Sequence, residues 1–306
     1  VAWVALSCAC SFDDDARFVP RPRAAYFLCD DGSTTGLAIL DATGRRTFLP
    51  VADFDLHVAE KNTTLWTVTD GKITRKGLDD GASGETPFNA FVPLGFCAGR
   101  DRHVVWGEKK LAFVENKTKN PRIAVLDIDF TPHSALYNNQ KFYLTADSLL
   151  AVYHETAFAP LLRLPLAFQA EHADFDELYN FVAMGRGTDG QYYSLKISAT
   201  GNVPLSANSV SGWKRLWHSR IWKTRYGNEA VLKTAGIRTD GAVLPDVGLR
   251  VSDMFFDFRH ARGYYHTGDS LKVYAFSPDL RTFEYVYGVA WPEKILKARF
   301  DASSGR

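Results

Sequence analysis

Short apolar runs of four to six residues recur along the chain, each closed by a polar turn. The turns come in two kinds, in fixed order. A Gly/Asp/Asn turn between two apolar runs appears at Asp31-Gly32, Asp70-Gly71, Gly107-Glu108, Ala146-Asp147, Asp189-Gly190, Gly227-Asn228 and Gly268-Asp269. The second residues fall at 32, 71, 108, 147, 190, 228 and 269, in steps of 39, 37, 39, 43, 38 and 41. After each comes an apolar strand, such as Leu37–Leu40, Leu111–Val114, Leu149–Tyr153 or Leu271–Phe276. A second polar turn then follows, as at Ala42-Thr-Gly44, Asp79-Asp-Gly81 and Ala199-Thr-Gly201, and a further strand after it. Gly and Asp/Asn suit such turns because hairpins need positive φ or a side chain that bonds its own backbone.

A period near 40 residues with about four short strands predicts a repeat of small antiparallel sheets. Helical repeats of that length need apolar runs with 3.6-residue periodicity, and none recurs. The pattern resembles that of seven-bladed β-propellers. The predicted fold class is therefore all-β, with four-stranded antiparallel blades. Blade 2 runs from Asp53 to Pro93, and blades 3 to 6 start at Leu94, Pro132, Ala170 and Gly212. Blade 7 runs from Val251 to Val289. Residues 24–50 supply three strands of the remaining blade, and 291–301 supply its inner strand, so the termini close the ring. The alternative is that Val4 to Cys10 supplies that strand. In domain terms, 1–23 is a leader and linker, 24–301 the propeller, and 302–306 a tail. Gly-His and Trp-Asp dipeptides of WD40 repeats, kelch double glycines and the quinoprotein motif are absent. The turn Asp41-Ala-Thr-Gly44, with a related one at Arg238-Thr-Asp-Gly241, is similar to turns of divergent bacterial propellers. That group shares an architecture and implies no single activity.

Composition agrees with strands. Of 306 residues, 46% are hydrophobic and 13% aromatic, ample for a core. Net charge is +1, which supplies no global field for nucleic acid or anionic membranes. Nucleic acid is thus not the expected partner, and no apolar run is long enough for a spanning helix. The four cysteines, Cys8, Cys10, Cys29 and Cys97, match no zinc or redox spacing. Any of three pairings, or buried free thiols, would fit. The opening Val-Ala-Trp-Val-Ala-Leu-Ser-Cys is similar to the tail of a secretory or lipoprotein signal, with Cys8 as the acylated residue. This predicts export to the periplasm, outer surface or extracellular space, and a lipid anchor. A plain edge strand is the competing reading. Asn62-Thr-Thr64 and Asn116-Lys-Thr118 match glycosylation acceptors, which short chance matches also do.

In propellers the loops entering each inner strand share one face with the second-to-third-strand turns, and the channel opens there. The resemblance places Asp53, Asp55, His133, His172, Asp174, Trp213, Lys214, Asp253 and Glu293 at that mouth. Carboxylates and imidazoles together can hold a divalent cation or run acid–base chemistry, although Asp is also simply common at strand entries. No HExxH, EF-hand loop, phosphate loop or G-x-S-x-G occurs, so no metal ligand and no catalytic residue is named, and no cofactor is expected beyond a divalent cation at the mouth. The densest feature is Trp213 to Tyr226. Here Arg215, Trp217, Arg220, Lys223 and Arg225 interleave cations with aromatics, which suits an anionic polysaccharide, nucleic acid or an acidic protein surface. Ordinary alternation of an inner strand explains the same run. The function expected is a non-enzymatic binding or scaffold module for a protein or glycan. The alternatives are a metal-assisted hydrolase or lyase of the lactonase or polysaccharide-lyase kind, and a structural subunit of a larger assembly.

Overall fold

The computed structural model describes residues 24–58, 63–117, 120–175, 181–189, 192–197, 208–210, 232–233, 249–257, 260–276 and 282–300. All the regular structure among them is β-strand. Six four-stranded antiparallel sheets account for nearly all of it, and they fall on the predicted blades. Blade 2 pairs Asp53–Val58, Thr63–Thr69, Gly71–Gly77 and Ser83–Phe88 in chain order. Blade 3 spans Gly95–Cys97 to Ile123–Asp127, and blade 4 Ser134–Asn138 to Pro160–Pro165. Blade 5 runs from Phe168–Phe175 to Asn208–Val210, and blade 7 from Asp253–Asp257 to Phe283–Ala290. The sixth predicted blade lies outside the described residues, apart from a two-residue ladder between Leu232–Lys233 and Arg250–Val251.

Blade 1 is assembled from both ends of the described chain. The last strand, Lys294–Phe300, pairs antiparallel with Ala25–Asp30, with Ala25 opposite Phe300 and Asp30 opposite Lys294. Thr35–Leu40 and Arg46–Pro50 complete the sheet. The C-terminal segment, and not Val4 to Cys10, is therefore the fourth strand. The turns have the expected chemistry. The Asp31 carboxylate accepts the N–H groups of Ser33 (2.8 Å) and Thr34 (2.7 Å), and Gly32 takes the φ of +89° that closes the hairpin.

Adjacent inner strands touch in the order of blades 7, 1, 2, 3, 4 and 5, so the sheets succeed one another around an axis. The core lies between them. Tyr26, Leu28, Phe54 and Leu65 fill the gap between blades 1 and 2. Trp66, Val68, Phe96 and Val105 fill that between blades 2 and 3, and Val104, Phe113, Phe142 and Tyr153 the next. Tyr143 and Phe181 stack between blades 4 and 5. Phe27, Tyr264 and Trp291 join blades 7 and 1. Successive residues point to opposite faces of a strand, so Val104 and Val105, or Phe142 and Tyr143, serve different neighbours. This is why the middle strands read as unbroken apolar runs. Gly95 lets Trp106 lie across the inner strand, where a Cβ would sit 1.9 Å from the indole. Cys29 and Cys97 are buried free thiols, and burial pushes the Cys29 thiol up to about 12.

Phe27→Ala and Phe142→Ala each empty a fully buried position between blades and are expected to cost ~3–5 kcal/mol. Urea midpoints would show this, against a change within ~0.5 kcal/mol for Val125→Ala on an exposed outer strand.

Candidate functional site in the channel wall

Asp53 and Asp55 stand two residues apart on the inner strand of blade 2, so both point to one face. Lys297 and Arg299 have the same spacing on the inner strand of blade 1. The Lys297 ammonium reaches the Asp53 carboxylate at 3.1 and 3.3 Å, and Arg299 Nε reaches Asp55 at 2.6 Å. The carboxylates also accept from blade 3: Phe96 N–H donates to Asp53 at 2.7 Å, and Ala98 N–H to Asp55 at 3.0 Å. Lys297 further donates to the carbonyls of Phe54 and Phe96. Two acid–base pairs thus clamp the inner strands of three consecutive blades. Both carboxylates are buried, with the cations mostly covered.

Burial holds the Asp53 carboxyl above its ordinary value, against the pull of Lys297. Burial acts on Asp55 too, but there Arg299 and Lys297 together prevail and hold it below the ordinary value. The difference follows from one neighbouring cation against two.

A second polar cluster lies where the inner strands end. Glu155 is fully buried after the third strand of blade 4. Its Oε2 accepts the Tyr137 hydroxyl at 2.8 Å and the Asp101 N–H at 3.3 Å, while Oε1 has no partner among the described residues. The Glu155 N–H donates to Gln140 O at 2.8 Å. That carbonyl is presented by a hairpin turn in which Asn139 and Gln140 both take positive φ, 47° and 61°. Burial raises the Tyr137 phenol, and its bond to Glu155 raises it further. His57, two residues past Asp55, is lowered by burial, with Asp55 and Glu155 opposing. Behind it His103 is fully enclosed between the rings of Trp66, 4.1 Å away, and Phe96. Its Nδ1 accepts the Gly99 N–H at 3.3 Å, and burial drives it down to about 3.

The described residues of the predicted mouth fall on five blades. Asp53 and Asp55 belong to the clamp. His133 is exposed at the entrance to blade 4, its N–H bonded to Thr145 O. His172 and Asp174 lie well along the inner strand of blade 5, which begins at Phe168, two residues before the predicted start. Asp253 opens blade 7 and accepts the Met254 N–H. Glu293 bonds Arg46 at 2.6 Å, and Arg46 lies 4.3 Å over the Trp291 ring. Trp213, Lys214, Arg215, Trp217, Arg220, Lys223 and Arg225, and Cys8, lie outside the described residues. Among the described residues no three His, Cys, Asp or Glu side chains come close enough to hold a metal ion. Among them there is no helix long and apolar enough to cross a membrane. Lys297, Arg299, Glu155, Tyr137 and His103 were not singled out in the sequence. The one available signal was the shared spacing of Asp53-x-Asp55 and Lys297-x-Arg299.

No family model and no curated protein matches the sequence. Solved structures do match. A protein from Lactobacillus plantarum superposes with a TM-score of 0.62 at 12% identity, covering 91% of this chain and 99% of the other. The β-propeller domain of Cps50 (Swd1) from Myceliophteria thermophila gives 0.54 at 10% identity, covering 80% and 93%. The chain is a β-propeller. A quinonprotein alcohol dehydrogenase-like protein from Bacteroides thetaiotaomicron gives 0.54 at 12%, covering 90% of the propeller and 78% of its own chain. At these identities the likeness is one of fold alone.

Removing one partner of the clamp leaves a buried charge unmatched. Asp55→Ala or Arg299→Met alone is expected to cost ~3–5 kcal/mol, and the double variant Asp55→Leu/Arg299→Met much less than the sum. A double-mutant cycle from urea unfolding checks this. His103 has a folded pKa of about 3 against 6.5 when free, so its stabilisation is complete above 6.5 and is lost as pH falls toward 3. Within that window the free energy of unfolding should fall by an extra ~1.4 kcal/mol per pH unit, and His103→Phe should remove that slope.

Proposed function

We propose that this propeller is a non-enzymatic binding or scaffold module, exported from the cell, that presents its channel mouth or the basic-aromatic run of Trp213 to Tyr226 to a protein or glycan. The observation that carries the reading is the clamp. Asp53 and Asp55, two of the carboxylates that a catalytic or metal-binding mouth could use, are matched by Lys297 and Arg299 and join blades 1, 2 and 3. Their charge serves cohesion between blades rather than a substrate. Recognition then falls to the loops and outer surfaces that a rigid ring holds in place.

The alternating Trp and Arg/Lys residues from 213 to 226 favour an acidic partner, through stacking and charge together. Binding of the purified chain to acidic and neutral glycans on an array, and to an anionic polysaccharide in solution, tests this. Trp217→Ala/Arg220→Ala/Lys223→Ala is expected to weaken binding about tenfold or more, with the loss steepest at low salt. Turnover of a lactone or a uronate polymer with added calcium or magnesium, abolished by Asp253→Asn or His172→Ala, would overturn the reading in favour of an enzyme.

A further inference from the structure

The entrance to blade 7 holds a pair of side chains that neither the clamp nor the Glu155 cluster uses. Ser252 immediately precedes the inner strand and is exposed. Its hydroxyl lies 2.6 Å from Nδ1 of His266, a buried residue at the end of the second strand. His266 Nε2 in turn lies 2.9 Å from the carbonyl oxygen of Trp291. A carbonyl oxygen only accepts, so Nε2 carries a hydrogen, and in the neutral ring Nδ1 is left as an acceptor. The Ser252 hydroxyl therefore donates to a ring nitrogen that is fixed from behind. The His266 carbonyl, at 3.1 Å, is its longer alternative acceptor. A nucleophile bonded to a base that a third group orients is the arrangement of activated serines.

The fold does not require this side-chain bond. Ser252 N–H donates to His266 O at 2.7 Å. The same backbone bond recurs as Ala52 N–H to Val68 O in blade 2 and as His133 N–H to Thr145 O in blade 4. The entry to an inner strand is thus held whichever side chain stands there. Pairing of Asp253 with His266 sets the register that brings serine and imidazole together in blade 7.

We propose that Ser252 is an acyl-acceptor site, a nucleophile that takes an acyl group from an activated ester or thioester with His266 as its base. Ser252 Oγ forms the new bond to the acyl carbon, and its proton passes to His266 Nδ1. The bond from the acyl carbon to the leaving oxygen or sulfur breaks, and the leaving group takes that proton from the imidazolium. The Trp291 carbonyl accepts from Nε2 throughout and holds the ring in place. The acyl group then stays on the serine. Rapid hydrolysis of a serine ester needs N–H donors aimed at its carbonyl oxygen. Here the neighbouring N–H groups are committed: that of Ser252 to His266 O, that of Met254 to the Asp253 carboxylate and that of Trp291 to Asp269 O. The product is a binding module carrying one acyl group beside its inner strand, and no turnover follows.

Incubation of the full chain with p-nitrophenyl acetate, followed by peptide mass spectrometry, tests this. Acetyl is expected on Ser252 about a hundredfold faster than on Ser83, an exposed serine of the outer strand of blade 2. His266→Gln should bring Ser252 down to the Ser83 rate, with the urea midpoint showing that the variant is folded. The comparison of Ser252 with Ser83 uses the unaltered chain, so it decides the matter even if that variant does not fold. Acetylation of Ser252 that is absent, no faster than at Ser83, or unchanged in folded His266→Gln would overturn the proposal. So would nitrophenol release that continues past one equivalent and is lost in Ser252→Ala, because the acyl group would then pass to water.

Discussion

A four-stranded sheet with apolar side chains on both faces cannot bury either face by itself, and the rest of this structure follows from that constraint. Each blade supplies one wall of two gaps, and each gap is filled by rings from both sides. Phe27 against Trp291, Tyr143 on Phe181 and Phe113 against Phe142 are instances. Because a blade is stabilised by its neighbours, blade 1, built from two distant segments, carries a particular requirement: both must be in place. The strand Lys294–Phe300 meets it by pairing with Ala25–Asp30 and bringing Trp291 and Ile295 into the gap between blades 7 and 1.

Between the inner strands of blades 1, 2 and 3, charged and polar groups join the rings. The clamp of Lys297 and Arg299 with Asp53 and Asp55 operates there, with backbone N–H groups of blade 3 as the further donors. Buried ion pairs contribute little net stability compared with apolar packing, yet they penalise any slip in register strongly. A slip of one residue between the inner strands of blades 1 and 2 would leave four charges unmatched. The clamp therefore specifies register, while the aromatic gaps supply the cohesion.

The same economy of charge bears on function. Asp53 and Asp55 have their partners on neighbouring blades, and Glu155 bonds Tyr137 of its own blade and Asp101 of blade 3. In the sequence, the cations and aromatics of 213–226 remain the candidate surface for recognition.

The blade period was legible in the sequence because turn chemistry is local. Asp31-Gly32, Asp70-Gly71 and Gly268-Asp269 close hairpins whatever the surroundings, and the blade boundaries followed to within a few residues. The closing pair was legible too, since three strands at one end and one at the other complete a unit of four. The site was not. Asp53 and Asp55 read as strand-entry acids open to a ligand. Only the tertiary structure brings Lys297 and Arg299, more than 240 residues away, against them. Glu155 and His103 carried no signal in the sequence, and each is buried by packing between two blades. Local propensity sets where a strand begins and turns. Which charges are neutralised, and which histidine is kept from its proton, depends on packing between blades, and no local pattern records it.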